Sequence, residues 1–431
     1  MTAGIAERAI ATLEANWTGS HTLPSSGLYP HQWSWDSAFI AIGLRHISPR
    51  RAGQELDALL AGQWTDGRIP QIIFDPRRDD QYAPGASFWQ SRRLPISPEH
   101  LDTAGLVQPP NHAWAVWKVH VADPDESRRR RFLERAYPRL LAWHAYLREQ
   151  RDLGGRGLAS IVHPWESGTD NSPLWDEALA RVPDTPRHPI ERPDLQHAEA
   201  DERPSDKEYG RFFWLAERYR DGGCVDAVAL PFVVEDPLFN TLFAVSEDAL
   251  GRIAAELGAD PAPHRAARAG LRDALGALRV ERPDGDWFGA RDVIGDVRVE
   301  AATVNGLAPL LLDDLPAAER LLATLEGDRF LGAGALPPSY DATAPDHDPA
   351  QYWRGPAWFN MAWLLAHGLA VHGNDAAAAS VRAAMAREAG AGAFPEYVEP
   401  ASGRPHGTRR FSWTAALVLD ALRAPDAGLF E

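Results

Sequence analysis

Apolar residues recur at intervals of three and four through most of this 431-residue chain, and the blocks that carry the pattern are separated by long connections rich in proline and aromatic residues. That spacing places side chains on one helical face, so such a chain has to bury helices against helices. Ile5, Ala9, Ile10 and Leu13 form an opening face, and Leu56, Leu59 and Leu60 form another within residues 50–62. Residues 126–150 set Phe132, Leu133, Tyr137, Leu140, Leu141, Trp143 and Leu147 around Pro138, which is expected to cap or kink that helix. Further helices are expected over 236–257, 262–278, 301–324, 355–372, 375–389 and 410–423, with few strands.

The connections fall at 64–98, 161–176, 183–209, 330–354 and 391–409. Loops of this length inside a compact domain are uncommon and usually functional. Residues 183–204 carry Pro183, Pro186, Pro189, Pro193 and Pro204 among many charges, which suits a mobile lid or a tolerated surface insertion. No strict repeat is visible. Regular alternation of helices with polar-aromatic loops points to an all-α helical toroid, a single domain over residues 1–431 with inner and outer rings of helices. Loops at one end then build a pocket, with insertions at 64–98 and 183–209 as its rim and candidate lid.

Charge and composition exclude several function classes. The net charge is −16 and Lys118 and Lys207 are the only lysines, so nothing electrostatic draws the chain to nucleic acid or anionic lipid. The one cysteine, Cys224, rules out an internal disulfide and a cysteine-rich metal site. No apolar run is long enough to span a bilayer and the first residues lack a signal-peptide pattern, so a cytoplasmic protein without membrane partners is expected. Homo-oligomerisation is left open. The 16 tryptophans stand out, many of them beside Gly, Pro, Asp or Gln rather than inside apolar helical faces. Some belong to the core; the others suit stacking on a sugar, which presents apolar C–H faces ringed by hydroxyls.

No phosphate-binding glycine loop, G-x-S-x-G elbow, H-E-x-x-H pair or EF-hand loop occurs. Asp346, His347 and Asp348 read as solvated loop residues rather than metal ligands, and neither metal nor cofactor is expected. Carboxylate acid-base chemistry remains. In IVHPWESGTDNSPLWD, residues 161–176, Ser172 and Pro173 read as N-cap and first residue of a helix, with Asp176 and Glu177 in its first turn. Capping leaves Trp165, Glu166 and Asp170 unexplained, and a carboxyl beside an indole can have its pKa raised enough to serve as a general acid. A second segment, residues 392–407, holds Glu396 between Pro395 and Tyr397, for which catalytic and structural readings stand level; Glu399 and Arg404 read as a structural ion pair. Two carboxyls facing one another from distant loops are what glycoside hydrolysis requires.

Seven stretches together, LYPHQWSWDSAFIAIGL (28–44), QWTDGRIPQIIF (63–74), GLVQPPNHAWAVW (105–117), HPWESGTDNSPLWD (163–176), DPLFNTLF (236–243), YWRGPAWFNMAWLL (352–365) and FPEYVEPASGRPHG (394–407), resemble glycoside hydrolase family 63 and within it the bacterial mannosylglycerate and glucosylglycerate hydrolases. The resemblance implies an (α/α)6 barrel, an inverting mechanism and no obligatory cofactor. It implies Asp170 as general acid and Glu396 as general base acting through water. It implies a sugar-binding floor of Tyr29, Trp33, Trp35, Asp36, Trp165 and Trp358, with Asp36 accepting hydrogen bonds from sugar hydroxyls. Gln108, Arg203, Tyr209, Tyr352 and Trp353 fall where the glycerate-specific members bind the aglycone carboxylate, and an arginine fork suits that group. The expected reaction is hydrolysis of an α-linked glycosylglycerate, a small anionic sugar, with mannosylglycerate slightly favoured over glucosylglycerate. Two alternatives are a sugar epimerase or isomerase on the same barrel, using His31, His112, His163 or His406, and a non-catalytic sugar-binding protein. The first is opposed only by the carboxylate segments; the second has no need of both Asp170 and Glu396. His31 and His112 are themselves expected to make structural hydrogen bonds.

Overall fold

Two kinds of helix alternate along the chain, and their sequences explain the difference. The computed structural model describes residues 2–190, 192–196, 198–226 and 230–431. Among these the α-helices are α1 Thr2–Ala15, α2 Ser34–Leu44, α3 Pro49–Ala61, α4 Ala86–Trp89, α5 His112–Ala122, α6 Glu126–Gln150, α7 Asp176–Ala180, α8 Asp206–Asp221, α9 Pro237–Leu257, α10 Ala262–Leu275, α11 Ala318–Glu326, α12 Phe359–Val371, α13 Asp375–Ala391 and α14 Ser412–Arg423. The chain is helix-rich, and its strands among the described residues are two to four residues long.

One set, α2, α5, α9, α12 and α14 with the 3-10 helix Val304–Leu311, is apolar almost all round; α2 is buried at every position. A helix without a polar face has to be covered on all sides. These segments cover one another in sequence: α2 packs on α5, α5 on α9, α9 on Val304–Leu311, that segment on α12, α12 on α14, and α14 back on α2. The last contact is close, since a Cβ at Gly43 would lie 2.4 Å from the Cα of Ala416. The amphipathic set lies outside: α3 against α2, α6 against α5, α10 against α9, α11 against Val304–Leu311, α13 against α12, and α1 against α14.

Some helix starts differ as well, although inner α9 is capped by Asp236 and outer α10 and α11 have no side-chain cap. Ser48, Asp125 and Asn374 cap α3, α6 and α13 through their side chains, satisfying backbone N–H groups that no helical carbonyl reaches. The N-cap residues of α2, α12 and α14 are Trp33, Trp358 and Phe411, which make no such bond. Aromatic groups stand there in place of caps, at the positive ends of the buried helices.

Several sequence expectations need correction. Helix α6 continues through Pro138, so of the two expected roles the capping one is ruled out. The expected helix 301–324 is two elements: the 3-10 helix Val304–Leu311, with Pro309 inside, ends before α11 begins at Ala318. Pro309 lacks an amide hydrogen and Pro316 stands in the break. Helices α2, α5 and α8 escape the periodicity reading. The first two are buried on nearly every side and so show no stripe; the third is announced by a capping box, Ser205 with Glu208, at the edge of the proline-rich loop. Within the candidate lid 183–209, Glu191 and His197 lie outside the described residues. Among the described residues no helix is long and apolar enough to cross a membrane.

Candidate active site

A single cavity collects both candidate catalytic carboxyls, Asp170 and Glu396, and every candidate binding residue: Tyr29, Trp33, Trp35, Asp36, Gln108, Trp165, Arg203, Tyr209, Tyr352, Trp353 and Trp358. The aromatic N-cap residues Trp33, Trp358 and Phe411 are part of its wall. Gln108 takes over the missing cap of α2, its Oε1 accepting the Trp35 N–H at 3.2 Å. The indoles of Trp353 and Trp358 stack at 3.9 Å and 6° between planes, and Tyr397 continues the stack 4.5 Å from Trp358. A small sheet of Ala357–Trp358, Tyr397–Val398 and Pro405–His406 sets Tyr397 opposite both Trp358 and His406, and so fixes Glu396 beside this wall.

The segment 161–176 divides by depth. Glu166 is wholly buried, held by both terminal nitrogens of Arg151 at 2.6 and 2.7 Å and by the N–H groups of Val107 and Val162 at 3.1 and 2.8 Å. With its oxygens so engaged it is a structural carboxylate. Asp170 remains partly open to the cavity. Burial, against the pull of Arg203 and with the help of the Glu396 charge, pushes its pKa up to about 7. Between them Gly168, at φ +72°, passes so close to Trp35 that a Cβ would meet the indole Cζ2 at 2.4 Å. Downstream, Ser172 accepts from the Leu174 N–H at 3.4 Å as a cap, but it opens a 3-10 turn, Pro173–Trp175, that runs into α7. Asp176 has a partner that capping does not suggest, a two-pronged pair with Arg354 at 2.9 Å on each side. Asn171 accepts the Trp353 N–H at 2.9 Å, tying this segment to the stacked indoles.

Glu396 is almost fully buried. Its Oε1 accepts from the Tyr29 hydroxyl at 2.8 Å, its Oε2 accepts the Thr408 N–H at 3.2 Å, and Arg203 Nη1 stands 3.7 Å from Oε1. Burial raises its pKa above the ordinary glutamate value, while Arg203, Tyr29 and Thr408 pull it back. Asp36, in the first turn of α2, is buried with its pKa well above the usual range, because burial is reinforced by the charges of Glu396 and Glu55. Glu399 does lie near Arg404, at 3.9 Å, but its shorter contacts are with Ser402 at 2.6 Å and His406 at 3.2 Å.

At the other end Arg203 lies flat on Tyr352, 4.1 Å from the ring centre, and donates to the Tyr29 oxygen at 3.3 Å. Tyr209, in the first turn of α8, donates to Asp194 at 3.1 Å. Asp194 is one of the wall residues that sequence reasoning missed, with Leu28, Gln71, Tyr82, Ala83, Gly168, Pro193, Phe411 and Trp413. Most sit inside the aromatic, proline-rich connections, so loop membership was their signal. Trp413 had none, because it stands in an apolar helix that reads as core.

Histidine is absent from the described wall of the cavity. His31 accepts the Asp75 N–H at 3.1 Å, His112 pairs with Ser34 at 2.8 Å, His163 bridges Phe212 and Trp165, and His406 pairs with Glu202 at 2.6 Å. Burial lowers His31 to about 4 and His112 and His163 to about 3, so these three are neutral structural groups. Asp346, of the candidate metal cluster, is engaged by Tyr340 at 2.8 Å and Arg354 at 3.0 Å.

Over residues 29–414 the sequence matches the family described as the mannosylglycerate hydrolase MGH1-like glycoside hydrolase domain. The mannosylglycerate hydrolase of Rubrobacter radiotolerans is 38% identical over 422 residues, covering 95% of each chain. The glucosylglycerate hydrolase of Mycolicibacterium hassiacum is 39% identical over 449 residues, covering 97% of each. In structure, the family 63 mannosylglycerate hydrolase of Thermus thermophilus, solved in complex with Tris and D-glycerate, superposes with a TM-score of 0.90 at 36% identity, covering 97% of this chain and all of that one. The chain therefore belongs to the MGH1-like glycoside hydrolases of family 63, and it is a glycoside hydrolase.

Proposed function

We propose that this enzyme cleaves a 2-O-α-linked glycosylglycerate to free sugar and glycerate with inversion, mannosylglycerate being favoured and glucosylglycerate close behind. In this reading residues 1–431 form one (α/α)6 barrel, supported by the closed circuit of buried helices and the outer helix against each of them. Asp170 is the general acid and Glu396 the general base. Glu396 removes a proton from a water that attacks the anomeric carbon; the C–O bond to glycerate breaks, and Asp170 delivers its proton to the departing oxygen. The aromatic floor packs against the sugar ring, with Asp36 accepting from its hydroxyls, and Arg203 with Tyr209 faces the glycerate carboxylate.

The observation that carries this reading is the unequal pair of carboxyls in one cavity. Asp170, at about 7, is still substantially protonated near neutrality, whereas Glu396 has Arg203, Tyr29 and Thr408 to support its charged form. Burial raises both, and the one with cationic and hydrogen-bond support for its charged form is suited to be the base, the other the acid. The names of the relatives and the D-glycerate in the Thermus complex support the choice of substrate. Anomeric proton NMR during incubation with 2-O-α-mannosylglycerate and 2-O-α-glucosylglycerate tests it. Initial appearance of β-sugar is the expected result. Initial α-sugar would overturn inversion, and no release from either compound would overturn the substrate class.

A further inference from the structure

Asp194 has no assigned part in the reaction, yet it lies in the cavity wall and is 6% exposed. Its carboxylate accepts from Arg192 Nε and Nη2 at 3.0 and 2.9 Å, from the Tyr209 hydroxyl at 3.1 Å and, more loosely, from Arg203 Nε at 3.4 Å. Arg192 also lies over the Tyr209 ring, 3.8 Å from its centre. The donors proposed to receive the glycerate carboxylate are thus already shared with a carboxylate of the chain.

A site built only to hold an anion tightly would leave Arg203 uncompensated. Here Arg203 is the one cation in the described wall. Its Nε side faces Asp194 and its Nη1 stands 3.7 Å from Glu396, while Arg192 behind the wall is shared between Asp194 and Asp206, the latter at 2.7 Å. With one edge of Arg203 already taken by Asp194, room is left there for one substrate carboxylate. A second anionic group would meet Asp194 on one side and the carboxylate of Glu396 on the other, with no further cation in the described wall. At these separations in a partly desolvated site, one like-charge contact weakens binding severalfold to a hundredfold.

Building on the glycosylglycerate reading, we propose that Asp194 determines specificity at the aglycone end: by occupying one edge of Arg203 and placing a fixed negative charge beside it, it admits a singly charged glycerate and rejects aglycones that carry a second negative charge.

Calorimetric titration tests this without depending on turnover. D-Glycerate carries one carboxylate; tartronate has the same carbon skeleton with two. The wild-type enzyme is expected to bind D-glycerate at least about tenfold more tightly than tartronate, and Asp194→Asn to tighten tartronate by about tenfold while moving D-glycerate less than about threefold. Wild-type protein that does not discriminate between the two, or an Asn variant that shifts both anions equally or weakens both, overturns the proposal. If circular dichroism shows that the Asn variant does not fold, Asp194→Ser is used with the same criteria. Wild-type hydrolysis of the glycosylglycerates is followed separately. An enzyme that discriminates the anions but cleaves neither substrate refutes the substrate assignment alone, and one that cleaves them with an unmoved anion ratio refutes the role of Asp194 alone.

Discussion

The phenol of Tyr29 donates a 2.8 Å hydrogen bond to Oε1 of Glu396, joining two loops 367 positions apart in the chain, and Arg203 Nη1 reaches both, at 3.3 Å from the phenol oxygen and 3.7 Å from the carboxylate. In Tyr29→Phe the carboxylate loses its only side-chain hydrogen bond among the described residues, so its pKa rises further. The acid limb of the kcat/KM profile should move to higher pH, by up to about one unit. A profile whose acid limb stays in place would exclude Glu396 as the group that titrates there.

The alkaline limb is assigned to Asp170. Above about 7 it loses the proton that the leaving glycerate oxygen needs, so kcat/KM should decline through that pH. Asp170→Asn should remove the limb and lower kcat on glycosylglycerates by about 10³-fold. On an α-glycosyl fluoride, whose leaving group needs no protonation, the same variant should keep most of its activity. Equal losses on both substrates would count against an acid role.

Burying carboxyls for chemistry has a consequence for stability. Glu55, which accepts from the Thr22 N–H and the Ser37 hydroxyl at 2.6 Å each, is raised to about 7, as Asp170 is. Their unfolded values lie near ~4. Between ~4 and 7 the folded state therefore holds protons that the unfolded chain has released, so the stabilisation from these two groups is fullest below ~4 and is lost as pH rises to 7. Carboxyls held low, such as Glu247 at about 2, act in the opposite sense but only at more acid pH. His31, His112 and His163, neutral in the folded state, act oppositely below about 6.5 in wild type and variant alike, so the effect of Glu55 is read as a difference: the melting temperature of Glu55→Gln relative to wild type should rise from pH 5 to pH 8 in calorimetric scans of both.

Gly168→Ala should cost about 1–3 kcal/mol, since φ is +72° and the added Cβ would stand 2.4 Å from the Trp35 indole. Because relief comes only by moving Trp35 or the turn that leads to Asp170, the substrate KM should rise together with the loss in melting temperature. Lower stability with unchanged kinetics would show that the turn relaxes away from the cavity.

Residue type and loop context by themselves singled out Trp165, Glu166 and Asp170, where apolar surface and carboxylate conflict locally, and left Glu396 level between catalytic and structural readings. Trp35, Asp36 and the other wall candidates came from the family resemblance. Glu166 and Asp170 show the limit. Both are acids near an indole in the same sixteen-residue stretch, and only the depth at which each comes to rest separates an ion-paired carboxylate from one open to the cavity. Asp194 was illegible for a related reason, because in a proline-rich charged loop nothing local distinguishes a wall residue from a solvated one.

What the sequence by itself determined is local: which segments coil, which coil faces are apolar, where prolines and capping residues start them, and that the polar aromatics lie between them. These follow from interactions across three or four residues. The tertiary structure decided which loops meet. Tyr29 reaches Glu396, Asn171 reaches Trp353 and Gln108 caps α2 because α14 packs back onto α2 and brings both ends of the chain to one cavity. The pKa values that divide acid from base follow from that burial and from charges contributed by distant segments, and no local pattern encodes them.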